Sequence, residues 1–172
     1  MFSLLKKILR NFIVFPLKKL DFIDVYSARF FFNNHPIIFG DPSRIKIGKD
    51  VHLYNAILNT NSGMIIIEDY VTLKPNSMLI TGTHDFSTRD LERRNAYPRS
   101  GRDIIVRKGA WIGPGAIVLG KVTIGESAVI GAGSIVTNDI EAYCVAVGNP
   151  ARVIKKLSSE TQVLDSRIDE SS

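Results

Sequence analysis

A six-residue beat runs through the second half of this chain and limits what it can fold into. From Val106 an aliphatic residue recurs at every sixth position, at Ile112, Val118, Ile124, Ile130 and Val136, and Ala142 continues the beat more weakly. Glycine follows the aliphatic residue at Gly113, Gly125 and Gly131. A small residue stands four places after it at Ala110, Ala116, Ala128 and Ser134. Neither the helical period of about 3.6 nor the alternation of a flat strand matches this pattern. A β-helix of hexapeptide repeats does: each six residues form one side of a triangular coil. The aliphatic residue points inward, the small residue fits a corner, and glycine tolerates the turn.

The same beat is present earlier, with interruptions. Ile47 and Leu53 are six apart, as are Ile67, Leu73 and Leu79. Leu53 and Ile67 are fourteen apart, two residues more than two beats, which predicts a bulge near Asn59 to Gly63. Leu79 and Val106 are twenty-seven apart, so residues 85–103 (DFSTRDLERRNAYPRSGRD) are expected to leave the coil as an external loop. A loop of that length in a compact domain is usually functional or disordered. The expected organisation is a basic N-terminal segment 1–36, a β-helix domain 37–154 carrying loop 85–103, and a polar C-terminal tail 155–172.

Charge is uneven along the chain. The net charge is +5, and residues 1–20 hold Lys6, Lys7, Arg10, Lys18 and Lys19 with no acid. The remainder holds 17 basic and 17 acidic residues, so the whole excess lies in the first twenty. Leu5, Ile8, Leu9, Phe12 and Ile13 share one face of a helix there, which Pro16 would end. This helix either packs on the protein or lies on an anionic membrane surface. It is too short to span a bilayer, and no small-residue cleavage site follows it. Phe30, Phe31 and Phe32 offer a second apolar contact. The single cysteine, Cys144, excludes an internal disulfide; in its apolar setting it is expected buried and reduced, which fits a cytoplasmic protein. The coiled body has balanced charge and no recognised motif, so nothing in it suggests nucleic-acid binding.

The run from Trp111 to Ile154 (WIGPGAIVLGKVTIGESAVIGAGSIVTNDIEAYCVAVGNPARVI) resembles the C-terminal signature of the hexapeptide-repeat acyltransferases. Within that family it is most similar to the maltose and galactoside O-acetyltransferase branch, whose relatives decorate bacterial surface polysaccharides. The resemblance covers residues 37–157. It implies an all-β, left-handed parallel β-helix, an exception to the right-handed crossover rule. It also implies a homotrimer with acetyl-CoA sites between subunits; no metal is expected, because His35, His52 and His84 lie too far apart in the repeat to converge.

Acetylation of a hydroxyl needs a base, and imidazole suits the task because its unperturbed pKa lies near working pH. Three histidines are available. His35 precedes the coils and His52 stands at a corner or outward position. His84, in Thr81-Gly82-Thr83-His84-Asp85, stands at the exit into the long loop. Taken alone it is a loop anchor or a base; the resemblance assigns it the base. Asp85 or a backbone carbonyl could orient its ring. The resemblance places acetyl-CoA against Trp111, Pro114, Ala132 and Thr137, with Arg152 and Lys155 at the phosphates. Pro114 has no N–H to donate where relatives often carry a small polar residue. Lys155 keeps a charge but not the fork of arginine.

By the same resemblance, Asn55 and Asn59 lie where relatives place a polar residue facing the acceptor. Arg89, Arg93, Arg94, Arg99 and Arg102 in loop 85–103 suit an acidic or phosphate-bearing glycan, or merely a solvated loop. The leading expectation is transfer of acetyl to a sugar hydroxyl in surface polysaccharide biosynthesis. The alternative enzyme reading is N-acetylation of an amino sugar. A non-catalytic scaffold is a distant alternative, and so is a three-histidine zinc site of the carbonic anhydrase kind.

Overall fold

The computed structural model describes residues 35–158, and the chain divides after His35. The expected N-terminal helix, the Phe30 to Phe32 contact and the tail beyond Ser158 lie outside the described residues.

Short strands wind around one axis and stack into three sheets. Sheet A holds β1 (Ile37–Phe39), β3 (Ile57–Asn59), β6 (Met78–Ile80), β9 (Ile117–Leu119) and β12 (Ile135–Val136). Sheet B holds β2 (Ile45–Ile47), β4 (Ile65–Ile67), β7 (Ile104–Val106) and β10 (Val122–Ile124). Sheet C holds β5 (Thr72–Leu73), β8 (Trp111–Ile112), β11 (Val129–Ile130), β13 (Cys144–Gly148) and β14 (Ala151–Lys156). Pairing is parallel throughout except for the closing hairpin of β13 and β14. The architecture is the expected left-handed β-helix.

Register explains the beat. Ile130 pairs beside Ile112 and Val136 beside Val118, each eighteen residues on, so three hexapeptides make one turn. Val106, Ile112, Val118, Ile124, Ile130 and Val136 are all fully buried, as are Ile67, Leu73 and Leu79 below them. Each such side chain contributes about 1.5–3 kcal/mol by leaving water. The beat fails at its two ends. Ala142 is only half-buried, because the last coil is two residues short: Ile140 bridges to Ile124, sixteen residues back, and takes the inward place with Cys144 and Ala146. Ile47 is 51% exposed, because β2 is the end strand of sheet B. Cys144 is buried and free.

Two of the three corners are tight turns built on left-handed residues. Tyr70, Gly109, Ser127 and Tyr143 stack at the corner from sheet B to sheet C with φ of 61, 68, 52 and 58°. Asn76, Gly115 and Gly133 do the same between sheets C and A, with φ of 61, 65 and 66°. Extra residues gather at the third corner, from sheet A to sheet B. The first coil inserts there around Gly40 to Arg44, the second at Thr60 to Gly63, and the third carries the long loop. The bulge expected near Asn59 to Gly63 therefore exists, but its count differs. Leu58 comes five residues after Leu53 and Ile67 nine after Leu58, so three extra residues sit in the corner and one is missing before it. The loop contains a short helix, α1 (Asp90–Asn95). The last strand runs to Lys156, past the boundary at 154 expected from the repeat.

One column of small side chains gives a test of the core. Ala56, Ser77, Ala116 and Ser134 stack at the corner into sheet A, all buried. The Ser134 hydroxyl accepts from the Gly148 N–H at 3.1 Å, whereas the Ser77 hydroxyl has no partner. An unpaired buried hydroxyl costs about 1–3 kcal/mol. Ser77→Ala should therefore leave stability unchanged or raise it by about 1 kcal/mol, while Ser134→Ala lowers it by about as much. Chemical denaturation of both variants checks this, and a loss in Ser77→Ala as large as that in Ser134→Ala contradicts it.

Candidate active site

The insertion corner positions His84. After β6 the Thr81 hydroxyl donates to the Asn59 carbonyl at 2.8 Å and accepts from the Ser62 N–H at 3.1 Å, which pins the chain as it leaves the coil. Gly82 N–H then donates to Asn59 Oδ1 at 3.1 Å. A Cβ on Gly82 would stand 2.8 Å from that same oxygen, so a larger residue there would displace the Asn59 side chain. Two residues later the His84 ring emerges at the surface.

Its partner comes from α1. A helix leaves its last four carbonyls without internal partners, and in this short helix the Arg93 carbonyl is one of them. His84 Nδ1 lies 3.0 Å from it. A carbonyl oxygen can only accept, so Nδ1 carries the proton and the lone pair of neutral His84 is on Nε2. The helix is held in turn by its own side chains and ends. The Arg93 guanidinium donates to the carbonyls of Thr88 and Phe86 at 2.7 and 3.3 Å, and Asp85 N–H donates to the Ala96 carbonyl at 2.8 Å. The orienting group is therefore a carbonyl, and not the Asp85 carboxylate. That carboxylate accepts from the hydroxyl and N–H of Ser87 at 2.6 and 2.9 Å, which closes the turn opening the loop. The Ser87 hydroxyl and N–H hold its carboxyl below the usual range.

A cavity of about 610 Å³ opens in front of His84. Asn59, Thr60 and Asn61 of the second insert line one wall, and Asp41 and Arg44 of the first line another. Tyr97 and Arg99 of the long loop complete it. The Tyr97 ring meets His84 edge to face at 6.0 Å, and the Arg99 guanidinium lies over Tyr97 at 4.8 Å. Asn59 lines this cavity, with its Oδ1 engaged by the Gly82 and Asn61 N–H groups. Asn55 is not. It sits at the corner from sheet C to sheet A, where it exchanges two hydrogen bonds with Asn76 at 2.8 and 3.0 Å. Its amide is committed to stacking one coil on the next. Arg99 is one of the five loop arginines read from the sequence as suiting an acidic glycan or a solvated loop, whereas Asp41, Arg44 and Tyr97 were not anticipated. Their sequence signal is the pair of inserts one coil apart, in which Thr60 N–H donates to the Phe39 carbonyl.

The other expected residues fall into two groups. Trp111, Lys155 and His52 share one row across the outer face of sheet C, in register through Thr72, Val129 and Val145. Arg152 projects from β14 opposite Val147. Pro114 and Ala132 stack at the corner leading out of that sheet, with Gly133 N–H donating to the Pro114 carbonyl at 2.9 Å. Thr137 instead follows β12, at the same corner as His84. One chain therefore does not bring Trp111, Pro114 and Ala132 together with His84 and Thr137. Among the described residues no three His, Cys, Asp or Glu side chains gather as a metal site.

Residues 103–138 match the family model described as bacterial transferase hexapeptide, six repeats. That segment therefore carries the hexapeptide repeat of this transferase family. Galactoside O-acetyltransferase of Lactococcus lactis subsp. lactis (strain IL1403) is 36% identical over 118 residues, covering 64% of this chain and 55% of that protein. A solved galactoside acetyltransferase in complex with coenzyme A superposes with a TM-score of 0.64 at 33% identity, over 71% of this chain and 60% of its own. A maltose O-acetyltransferase from Clostridium difficile 630 gives a TM-score of 0.57 at 28% identity, over 91% and 86%. The chain spans about half the length of the curated relatives it matches.

Proposed function

We propose that this protein transfers an acetyl group from acetyl-CoA to a sugar hydroxyl, with His84 as the general base, in surface polysaccharide biosynthesis. The observation that carries the reading is the hydrogen bond from His84 Nδ1 to the Arg93 carbonyl, which leaves Nε2 free beside a cavity of about 610 Å³. In the proposed step Nε2 takes the proton of the acceptor hydroxyl as its oxygen attacks the thioester carbonyl. The carbon–sulfur bond then breaks, and the imidazolium returns its proton to the leaving sulfur. The products are the acetylated sugar and the thiol of CoA. The galactoside acetyltransferase solved with coenzyme A supports the choice of donor.

The row on sheet C suits the donor's extended arm. Trp111 and Lys155 are three strand spacings apart, at about 4.8 Å each, with Arg152 close by on the same strand as Lys155. Trp111 and Pro114 would bind the pantetheine end and Ala132 its amides, while Arg152 and Lys155 hold the phosphates. Thr137 and His84 stand at another corner of the coil, so the donor must bridge two copies of the chain, and a homotrimer provides that bridge. The first twenty residues would hold the trimer against anionic lipid on the cytoplasmic face; no helix among the described residues is long and apolar enough to cross a membrane.

His84→Ala should lower acetyl transfer about a hundredfold to ten-thousandfold while the trimer, sized by light scattering, keeps its affinity for acetyl-CoA. Retention of more than a tenth of the activity removes His84 from the role of base, and a monomer removes the shared site. For the membrane contact, the intact chain should sediment with anionic vesicles and release with salt. A chain without residues 1–20 should not sediment, and equal behaviour of the two contradicts the contact.

A further inference from the structure

The cavity beside His84 carries a charge pattern that the acetyl transfer itself does not require. Arg44 and Arg99 line it, and the acid among its lining residues is Asp41. The Asp41 carboxylate accepts from the Ser43 N–H at 2.9 Å. The ion pairs among the described residues are Arg107 with Glu68 and Lys156 with Glu141, so neither cavity arginine is neutralised by contact. Other arginines nearby are engaged in holding the loop: Arg93 on the Thr88 and Phe86 carbonyls, and Arg102 on the Thr81 carbonyl at 2.8 Å. Arg44 uses only Nη1, which donates to the carbonyls of Thr60 and Arg99 at 3.2 and 2.9 Å. Its Nε and Nη2 make no hydrogen bond among the described residues. The Arg99 guanidinium makes none either, and its contact is the face of Tyr97.

From this we infer that the acceptor is an anionic sugar, bearing a carboxylate or a phosphate that Arg44 and Arg99 bind while His84 faces the reacting hydroxyl. The inference rests on the acetyl-transfer reading of the same cavity. A guanidinium offers a planar fork of donors that matches both anions, and two forks with free donors in one cavity are the arrangement such recognition uses. A neutral glycoside would leave Arg99 without a counterion and Arg44 with only the Asp41 carboxylate, which it favours by charge without an ion-pair contact. The packing also sets the distance. Arg99 lies on Tyr97 and Tyr97 on His84, at 4.8 and 6.0 Å, so the anion sits within a sugar residue or two of the hydroxyl that reacts. The Arg44 bond to the Arg99 carbonyl ties the loop to the coil and keeps the two guanidinium groups on one cavity.

The test uses the full chain with three matched acceptor sets: neutral hexoses, the corresponding uronic acids and the corresponding hexose phosphates. Release of CoA thiol gives kcat and KM, and calorimetry gives acceptor binding independently of turnover. The expected result is a KM at least about tenfold lower for one anionic set than for the neutral one, the size of a charge-assisted contact. Arg99→Gln, folded by its thermal transition, should raise that KM about tenfold with kcat and the KM for acetyl-CoA within twofold of wild type. Arg44→Lys keeps the charge without the fork and should fall between. The set that shows the effect tells carboxylate from phosphate. Neutral hexoses used as well as the anionic sets, or anionic binding unchanged in Arg99→Gln, overturns the inference and leaves acetyl transfer standing. Anionic sugars bound through Arg99 with no thiol release from any set overturn acetyl transfer and leave the anion site standing.

Discussion

Three parallel sheets lean on one shared column of aliphatic side chains, and that column has no room for an extra residue within a side. Leu58, Leu79 and Val118 stack in sheet A, as do Ile67, Val106 and Ile124 in sheet B, all at 0–1% exposure. A residue added within a strand would reverse which side chains face inward for the rest of that side, and each aliphatic lost from the core costs about 1.5–3 kcal/mol. Two corners are closed by left-handed turns that stack directly on one another. Extra chain is tolerated only where it loops outward, at the corner from sheet A to sheet B. Inserted chain accumulates there because that corner can accept length. Its successive inserts lie over one another and build a cavity that no single insert could enclose.

The inward beat was legible because each aliphatic residue answers to one physical demand, burial, repeated at a fixed spacing. It stopped being legible where a different demand took over. Ala142 keeps the spacing yet is half-buried, since the last coil is shortened and Ile140 takes the inward place. Asn55 and Asn59 looked alike as candidates because the slip blurred the register. Three residues added after Leu58 put Asn59 at the cavity and left Asn55 in a ladder with Asn76. The reading of His84 as a base came from the family resemblance alone, but its place at the exit of a coil was legible in the sequence. The group that orients it was not, because the Arg93 carbonyl carries no mark in the sequence and depends on a short helix forming nine residues away. Arg44, and its meeting with Arg99, was hidden for a related reason: the two lie 55 residues apart in the chain.

The distribution of site residues has a consequence for assembly. His84 and Thr137 stand at one corner, whereas Trp111, Pro114, Arg152 and Lys155 belong to sheet C and its exit. Under the proposed reaction a donor held on sheet C of one copy delivers its thioester to the insertion corner of another. Trimer formation is then part of the active site. Loss of the assembly would remove activity without disturbing His84, its carbonyl partner or the cavity.

The central claim is that the Arg93 carbonyl fixes His84 with its proton on Nδ1 and its lone pair on Nε2. The most direct measurement is the ring-nitrogen NMR spectrum of His84, assigned by comparison with His84→Ala, in the neutral form of the imidazole. The account predicts a protonated Nδ1 and an unprotonated Nε2. A proton found on Nε2 instead would leave no free lone pair facing the cavity and would contradict the claim.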